Sequence, residues 1–359
     1  MSTPFFKKLF RPIEKRIRRF QNRRRYFRKH EAANRKPHVF LFGAPAHSNL
    51  GDQAQCYCIQ RWLKRYLPEY EVETNTLSTA NKAYFADLKK VFRKGDILLC
   101  HSGYHITDLY DEKRAYLTAA KLFPEEPLRI LPQTVHFENP DNLKAVADTF
   151  NSHGQVTLLC RDEVSYENAQ KAFNRCRLFL FPDIVTMLIG NFDYYTPAVK
   201  EGVLFCMRND KEALYSKEDI AALREQLAPL YPTALTDTTI SASYKDISAD
   251  REPYIRAKVE EIARYRVVVT DRYHGTIFSL IANTPVIIVN STDHKLSSGI
   301  KWFPESFRSH VFYAADLAEV PALIKRITEA PAPQPLPPYF AEKYYSRHLG
   351  EALNLPIHD

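Results

Sequence analysis

Short β-branched and aliphatic runs recur along the chain, and most end in a cluster of polar residues. The clearest is Val267-Val268-Val269-Thr270, which has the composition of a buried strand. Asp271, Arg272, His274 and Gly275 crowd its end. Ile277, Leu280 and Ile281 then recur at helical spacing, Asn283-Thr284-Pro285 stops the helix, and Val286 to Val289 begins another strand. Strand, charged turn, helix and strand make a βαβ unit, whose turn at the strand's carboxyl end faces the ligand crevice. An Arg, a His and a helix start meet there, a set suited to an anionic ligand.

The same order repeats upstream. Val39 to Gly43 reads as a strand, followed by a polar loop from Ala44 to Asp52 and a helix carrying Ile59, Trp62, Leu63 and Tyr66. Asp52 lies near that helix's start, where capping alone would explain it; Asn49 is also a common turn residue. Further strands are expected at Asp96–His101, Leu128–Leu131, Val156–Cys160 and Leu178–Phe181. They end in Ser102-Gly103-Tyr104-His105, Pro132-Gln133-Thr134, Arg161-Asp162 and Pro182-Asp183; Arg161 and Asp162 read first as partners for each other. The pattern lapses at 191–200 and restarts at Val203–Met207, followed at once by Arg208. Helices are expected over Lys217–Leu230, Arg251–Tyr265 and near Val320–Ile327, with strands at Ala234–Thr236 and Val311–Tyr313. Residues 331–338 form a Pro-rich connector. A terminal helix with Phe340, Tyr344, Leu349 and Leu353 is expected to pack back across a domain surface. The fold class is therefore α/β: two Rossmann-like, doubly wound domains, residues 37–190 and 201–330, facing a cleft across a linker.

Length agrees, since 359 residues suit two domains. Residues 1–36 hold fourteen Lys and Arg against Glu14 and Glu31, a net of +12; with +8 overall, the remainder carries −4. The basic character thus belongs to the amino-terminal stretch, and a nucleic-acid enzyme with a basic groove is not expected. Phe6, Phe10, Ile13, Ile17 and Phe20 make an apolar stripe among those cations. Such a basic amphipathic helix suits an anionic membrane surface, reached through residues 5–29; a tail packing on its own body and an RNA-binding arm are the alternatives. Neither an apolar span nor a secretory h-region is present, so a cytoplasmic protein, peripheral at the inner face of the plasma membrane, is expected. Six scattered cysteines form no CxxC pair and read as reduced core residues, so no metal is expected. With ten glycines and no GxGxxG or GxxxxGK[ST], neither a dinucleotide enzyme nor a P-loop NTPase is favoured.

Asp271-Arg272-Tyr273-His274-Gly275, with Pro285 and Asp293-His294-Lys295 beyond, resembles the carboxyl-terminal motif of polysaccharide pyruvyl transferases. Ser48-Asn49-Leu50-Gly51-Asp52, Pro132-Gln133-Thr134, Arg161-Asp162-Glu163-Val164-Ser165, Pro182-Asp183 and the strand ending in Met207-Arg208 resemble the same family, in its order, from about residue 38 to 305. The nearest resemblance is to bacterial exopolysaccharide and biofilm-matrix members. Two departures stand out: His101-Ser102-Gly103 replaces a Gly-rich segment, and Tyr273 replaces an aliphatic residue. The resemblance implies a fold similar to that of B-type glycosyltransferases. It also implies transfer of the pyruvate moiety of phosphoenolpyruvate onto two hydroxyls of a sugar or lipid-linked oligosaccharide, with no cofactor. On that reading Arg272, Arg208 and Lys295 bind the donor, and His274 is the general acid, with Arg272 beside it in the catalytic step. Asn49, Asp52 and Gln133 line the acceptor side. The base is either His274 after donation or a residue of the amino-terminal loop. A nucleotide-sugar-dependent glycosyltransferase of the same fold is the alternative, and a non-catalytic interaction protein the third possibility.

Overall fold

The computed structural model describes residues 27–28, 30–32, 34–197, 199–209, 213–290 and 299–357. Lys295 and residues 1–26 of the basic stretch lie outside the described residues. Phe27 is buried against Tyr84, with ring centroids 5.2 Å apart, which ties the stretch's carboxyl end to the body.

Two parallel sheets carry the fold. The first contains β1 (His38–Ala44), β2 (Glu71–Thr76), β3 (Ile97–Cys100), β4 (Gly103–Thr107), β5 (Leu128–His136), β6 (Val156–Cys160) and β7 (Arg177–Leu180). Its order is β2-β1-β3-β5-β6-β7, with β4 paired to β5. The second contains β8 (Val203–Cys206), β9 (Thr233–Thr236), β10 (Val267–Thr270), β11 (Val286–Val289) and β12 (Val311–Ala314), in the order β12-β11-β10-β8-β9. Strand order reverses between β1 and β3 in the first sheet and between β8 and β10 in the second. Ligands of open α/β sheets bind at such reversals, outside the strands' carboxyl ends.

Strands β8, β10 and β11 are buried at every residue, because helices cover both faces of the second sheet and force near-continuous Val, Ile and Leu. The polar strand β2, EVETNT, has no such signature. It sits at the sheet edge and buries only Glu73 and Asn75. One apolar core takes residues from both sheets. The helices Leu50–Tyr66, Glu252–Ala263 and Tyr273–Ile281, the 3-10 turn Ile184–Leu188 and the chain's end all contribute to it. This shared core joins the two sheets.

The chain's end differs from the single helix its apolar spacing predicts. It forms two short helices, Tyr339–Lys343 and Arg347–Ala352. The break turns the Tyr345 carbonyl to Trp62 Nε1 (3.0 Å) and its hydroxyl to the Pro182 carbonyl. Arg129 Nε then donates to Leu353 O at 2.7 Å, anchoring the end on β5. Among the described residues, no helix is long and apolar enough to cross a membrane.

Candidate active site

Asp183 is the centre of the site. It follows β7, caps the 3-10 turn Ile184–Leu188 through Val185 N (3.0 Å), and is fully buried. A buried charge must be paired and hydrogen-bonded. Its Oδ2 accepts from Gln55 Nε2 at 2.6 Å and lies 3.6 Å from Arg161 NH1 and 3.5 Å from His274 Nε2. Burial alone would raise its pKa, but His274, Arg161 and the Val185 N–H together outweigh burial and hold the carboxyl down at about 2. The His274 Nε2 distance is longer than a good hydrogen bond, and among the described residues that nitrogen has no hydrogen-bonding partner.

His274 stands in the first turn of the helix Tyr273–Ile281, directly after β10. Across the junction, Gly51 lies in the first turn of the helix Leu50–Tyr66. A Cβ there would overlap the His274 imidazole, so glycine is what lets this helix approach the ring. Arg161, at the end of β6, donates to Thr134 Oγ1 at 2.5 Å. Its guanidinium lies over the rings of Tyr273 (5.3 Å) and Tyr104 (5.9 Å). Asp162 instead caps the next helix through Ser165 N and Oγ, both at 2.8 Å. The two neighbours thus turn to different tasks rather than simply pairing with each other.

Arg272 does not take up with its neighbour Asp271 alone. Nε and NH2 each donate to Asp237 at 2.8 Å, a bidentate pair at the end of β9. Asp271 accepts from Arg208 N at 2.8 Å, and burial pushes its carboxyl up to about 6. Asp237 is fixed by the loop that follows it. Leu50 N donates to Thr238 O (2.8 Å), Ile240 N donates to Ser48 O (3.2 Å), and Asn49 bridges Thr239 antiparallel. The two halves are therefore stitched together beside the site.

On the opposite wall, Asn49 caps the helix Leu50–Tyr66 by accepting from Gly51 N at 2.9 Å, and Asp52 Oδ2 lies 3.7 Å from His47 Nε2, partly exposed. Gln133 is fully buried. Its amide donates to His101 O at 2.5 Å and accepts from His105 N at 3.0 Å, so it shapes the loop from His101 to His105. In that loop His101 Nδ1 donates to Ser102 O at 2.6 Å, which leaves Nε2 as an acceptor. Burial lowers the His101 pKa to about 4. Among the described residues, His101 Nε2, Ser102 Oγ and Gln55 Oε1 are buried polar atoms without a partner, although such atoms are normally satisfied. They cluster around the β3 end and the Leu50–Tyr66 helix, on Asp183's side of the junction.

The structure thus brings His274, Arg272, Arg208, Asn49, Asp52 and Gln133 to one junction; Lys295 lies outside the described residues. Sequence reasoning missed Asp183, Arg161, Gln55 and Asp237 as site groups. The cue for Asp183 was an ionisable residue set between β7 and the apolar run Ile184–Ile189. Nothing in the Thr-rich loop around Asp237 marked it.

A family model described as "Polysaccharide pyruvyl transferase" matches residues 49–294. General stress protein 30 of Bacillus subtilis is 28% identical over 308 residues, 83% of this chain and 87% of that protein. Pyruvyl transferase 1 of Schizosaccharomyces pombe is 28% identical over 283 residues, covering 74% and 69%. Among solved structures, a UDP-GlcNAc 2-epimerase from Neisseria meningitidis bound to UDP-GlcNAc superposes with a TM-score of 0.51 at 11% identity, over 89% of this chain and 99% of that one. That likeness gives the fold: two facing parallel-sheet halves, as in B-type glycosyltransferases.

Proposed function

The chain belongs to the polysaccharide pyruvyl transferase family and is a transferase on that ground; from this premise we propose that it moves the pyruvate moiety of phosphoenolpyruvate onto two hydroxyls of a sugar in exopolysaccharide biosynthesis, forming a cyclic ketal. One observation carries the reading: His274 and Arg161 converge on buried Asp183 where the strand ends of both sheets meet. Phosphoenolpyruvate brings a phosphate and a carboxylate, and arginines bind either group bidentately. Arg272, Arg208 and Arg161 are cations described at that junction, and Lys295 is the further donor-binding candidate.

The reaction needs the donor's methylene carbon protonated, so that C2 becomes electrophilic. An imidazolium suits that step. His274 donates, with Asp183 3.5 Å away as its counterion. The first sugar hydroxyl adds to C2 and returns its proton to His274. The C2–O bond to phosphate then breaks, and the second hydroxyl closes the ketal. One hydroxyl proton ends in the new methyl group and the other leaves with phosphate. Asn49, Asp52 and the loop shaped by Gln133 face the acceptor.

The basic stretch 5–29 supports a site at an anionic membrane surface, where lipid-linked acceptors lie. The test is phosphate release from phosphoenolpyruvate in the presence of glycan acceptors. It is expected with the wild type and lost with His274→Ala and Arg272→Ala. Wild-type rates in both variants would overturn the site. Stabilisation by UDP- or GDP-sugars, with none by phosphoenolpyruvate, would favour a glycosyltransferase.

A further inference from the structure

Closing the ketal needs a base for the second hydroxyl's proton, because His274 already serves the methylene carbon and the first hydroxyl. Such a base must be neutral, with its lone pair fixed in place. His105, on β4, meets both conditions. Its Nδ1 lies 2.7 Å from the Tyr116 hydroxyl, and that hydroxyl lies 3.0 Å from His101 O. A carbonyl only accepts, so the single Tyr116 hydrogen goes to it, and His105 Nδ1 is the donor to the hydroxyl oxygen. The lone pair of His105 is therefore on Nε2. The surroundings hold this arrangement. A Cβ at Gly43 would overlap the Tyr116 hydroxyl, and Gln133 Oε1 accepts from His105 N at 3.0 Å. Burial first, then the neighbouring His101, Arg161 and His47, lower the His105 pKa and keep the imidazole neutral.

A second acceptor stands beside Nε2. Gln55 Nε2 donates to the Asp183 carboxylate, which only accepts, so the Gln55 amide is oriented with Oε1 as its other end. That Oε1 is buried and has no partner among the described residues. His105 Nε2 and Gln55 Oε1 flank Gly103: a Cβ there would lie 3.2 Å from the first and 3.3 Å from the second. Two acceptors thus converge without a donor from the described residues, although buried polar atoms are normally satisfied. A hydroxyl supplies that donor. His101 is the other neutral imidazole of the loop, but it is 1% exposed, whereas His105 is only half-buried. Through Gln55 the pair adjoins Asp183, and His274 Nε2 lies 3.5 Å beyond.

From this arrangement we propose that His105 Nε2, beside Gln55 Oε1, is the base that takes the proton of the ring-closing sugar hydroxyl. As that oxygen bonds to C2, its O–H bond breaks and the proton passes to Nε2. Phosphate has already taken the electron pair of its bond to C2. The imidazolium then gives up the proton, which leaves with phosphate, and His105 returns to its neutral form. Tyr116 is a positioning residue that keeps Nδ1 protonated. The proposal rests on the pyruvyl-transfer reading and supplies the base which that reading needs.

The test measures ketal formation from phosphoenolpyruvate and glycan acceptors, with the melting temperature, for the wild type, His105→Asn and Tyr116→Phe. Asparagine keeps an amide donor for Tyr116 but has no base at the Nε2 position. His105→Asn should lower kcat at least about a hundredfold, with both KM values within threefold and the melting temperature unchanged. Tyr116→Phe should lower kcat about tenfold at unchanged KM values, because His105 is then free to take either tautomer. A kcat for His105→Asn within threefold of wild type overturns the base and leaves the reaction standing. A raised acceptor KM at unchanged kcat makes His105 a binding group and overturns the base too. Should His105→Asn fail to fold, Tyr116→Phe decides, and a kcat within twofold of wild type overturns the proposal. No ketal from the wild type overturns the pyruvyl-transfer reading itself, and the base with it.

Discussion

Replacing Asp183 with Asn tests the centre of the site, because it keeps the side chain's size and removes its charge. In the wild type the fully buried carboxylate faces Arg161, His274, Gln55 and the Val185 N–H. Two routes bound the cost. The depression from the ordinary 3.8 to about 2 corresponds to about 2 kcal/mol of native-state stabilisation. Removing one partner of a buried ion pair strands the other, at roughly 3–5 kcal/mol. Arg161 is 6% exposed and would be the stranded charge. Asp183→Asn is therefore expected to lose about 2–5 kcal/mol, measured by urea unfolding at pH 7. It should release phosphate at least a hundredfold more slowly, since the acid at His274 loses its counterion. The sign with pH follows. A folded pKa below the ordinary value gives stability that is present above about pH 4 and lost as pH falls through about 2. That acid-side loss should be absent from the variant. Unfolding within about 1 kcal/mol of wild type, together with phosphate release within threefold, would mean that the Asp183 charge neither pairs Arg161 nor serves His274.

Three further outcomes are expected. Gly51→Ala drives a Cβ into the His274 ring; kcat should fall at least tenfold, with a loss of about 1–3 kcal/mol from overpacking, and an unchanged kcat would contradict the contact. His101 is held neutral by burial at about 4, so its contribution to stability is lost as pH falls from about 6.5 through 4, about 3 kcal/mol in all. Asp271, raised to about 6, acts in the opposite sense over part of that range in every variant. The gap between wild type and His101→Gln should therefore narrow by about 3 kcal/mol between pH 7 and pH 4, and a constant gap would contradict it. Arg272→Lys replaces a bidentate fork with a point charge on Asp237; the phosphoenolpyruvate KM should rise about tenfold, with acceptor KM as the internal control.

The sequence revealed the fold where burial is two-sided. β10 and β11 are apolar at nearly every position because helices cover both faces, so their bounds could be read directly. The edge strand β2 was illegible: its solvent-facing residues make EVETNT look like a loop, and its buried Glu73 is matched by His30 at 2.5 Å, far away in sequence. The chain's end was only half legible, since apolar spacing cannot show that Tyr345 must break the helix to reach Trp62 and Pro182. Within the site, His274 and Arg272 stood out as candidates because charged residues at the end of an apolar strand are costly without a purpose. Arg161 was misjudged through adjacency. Asp162 lies next to it in sequence, but the strand end sends one side chain to the helix cap and the other to Asp183. Asp237 depends on the stitch between Ser48–Leu50 and Thr238–Ile240, a tertiary contact no local pattern encodes.

Pyruvyl transfer is decided at the donor's C2 carbon. Incubation with phosphoenolpyruvate labelled with 13C at C2 and a panel of glycan acceptors should give stoichiometric phosphate and a product whose labelled carbon resonates as a ketal bonded to two sugar oxygens. Phosphoenolpyruvate recovered intact while a nucleotide sugar is consumed, or phosphate released with the label in free pyruvate alone, would contradict the account.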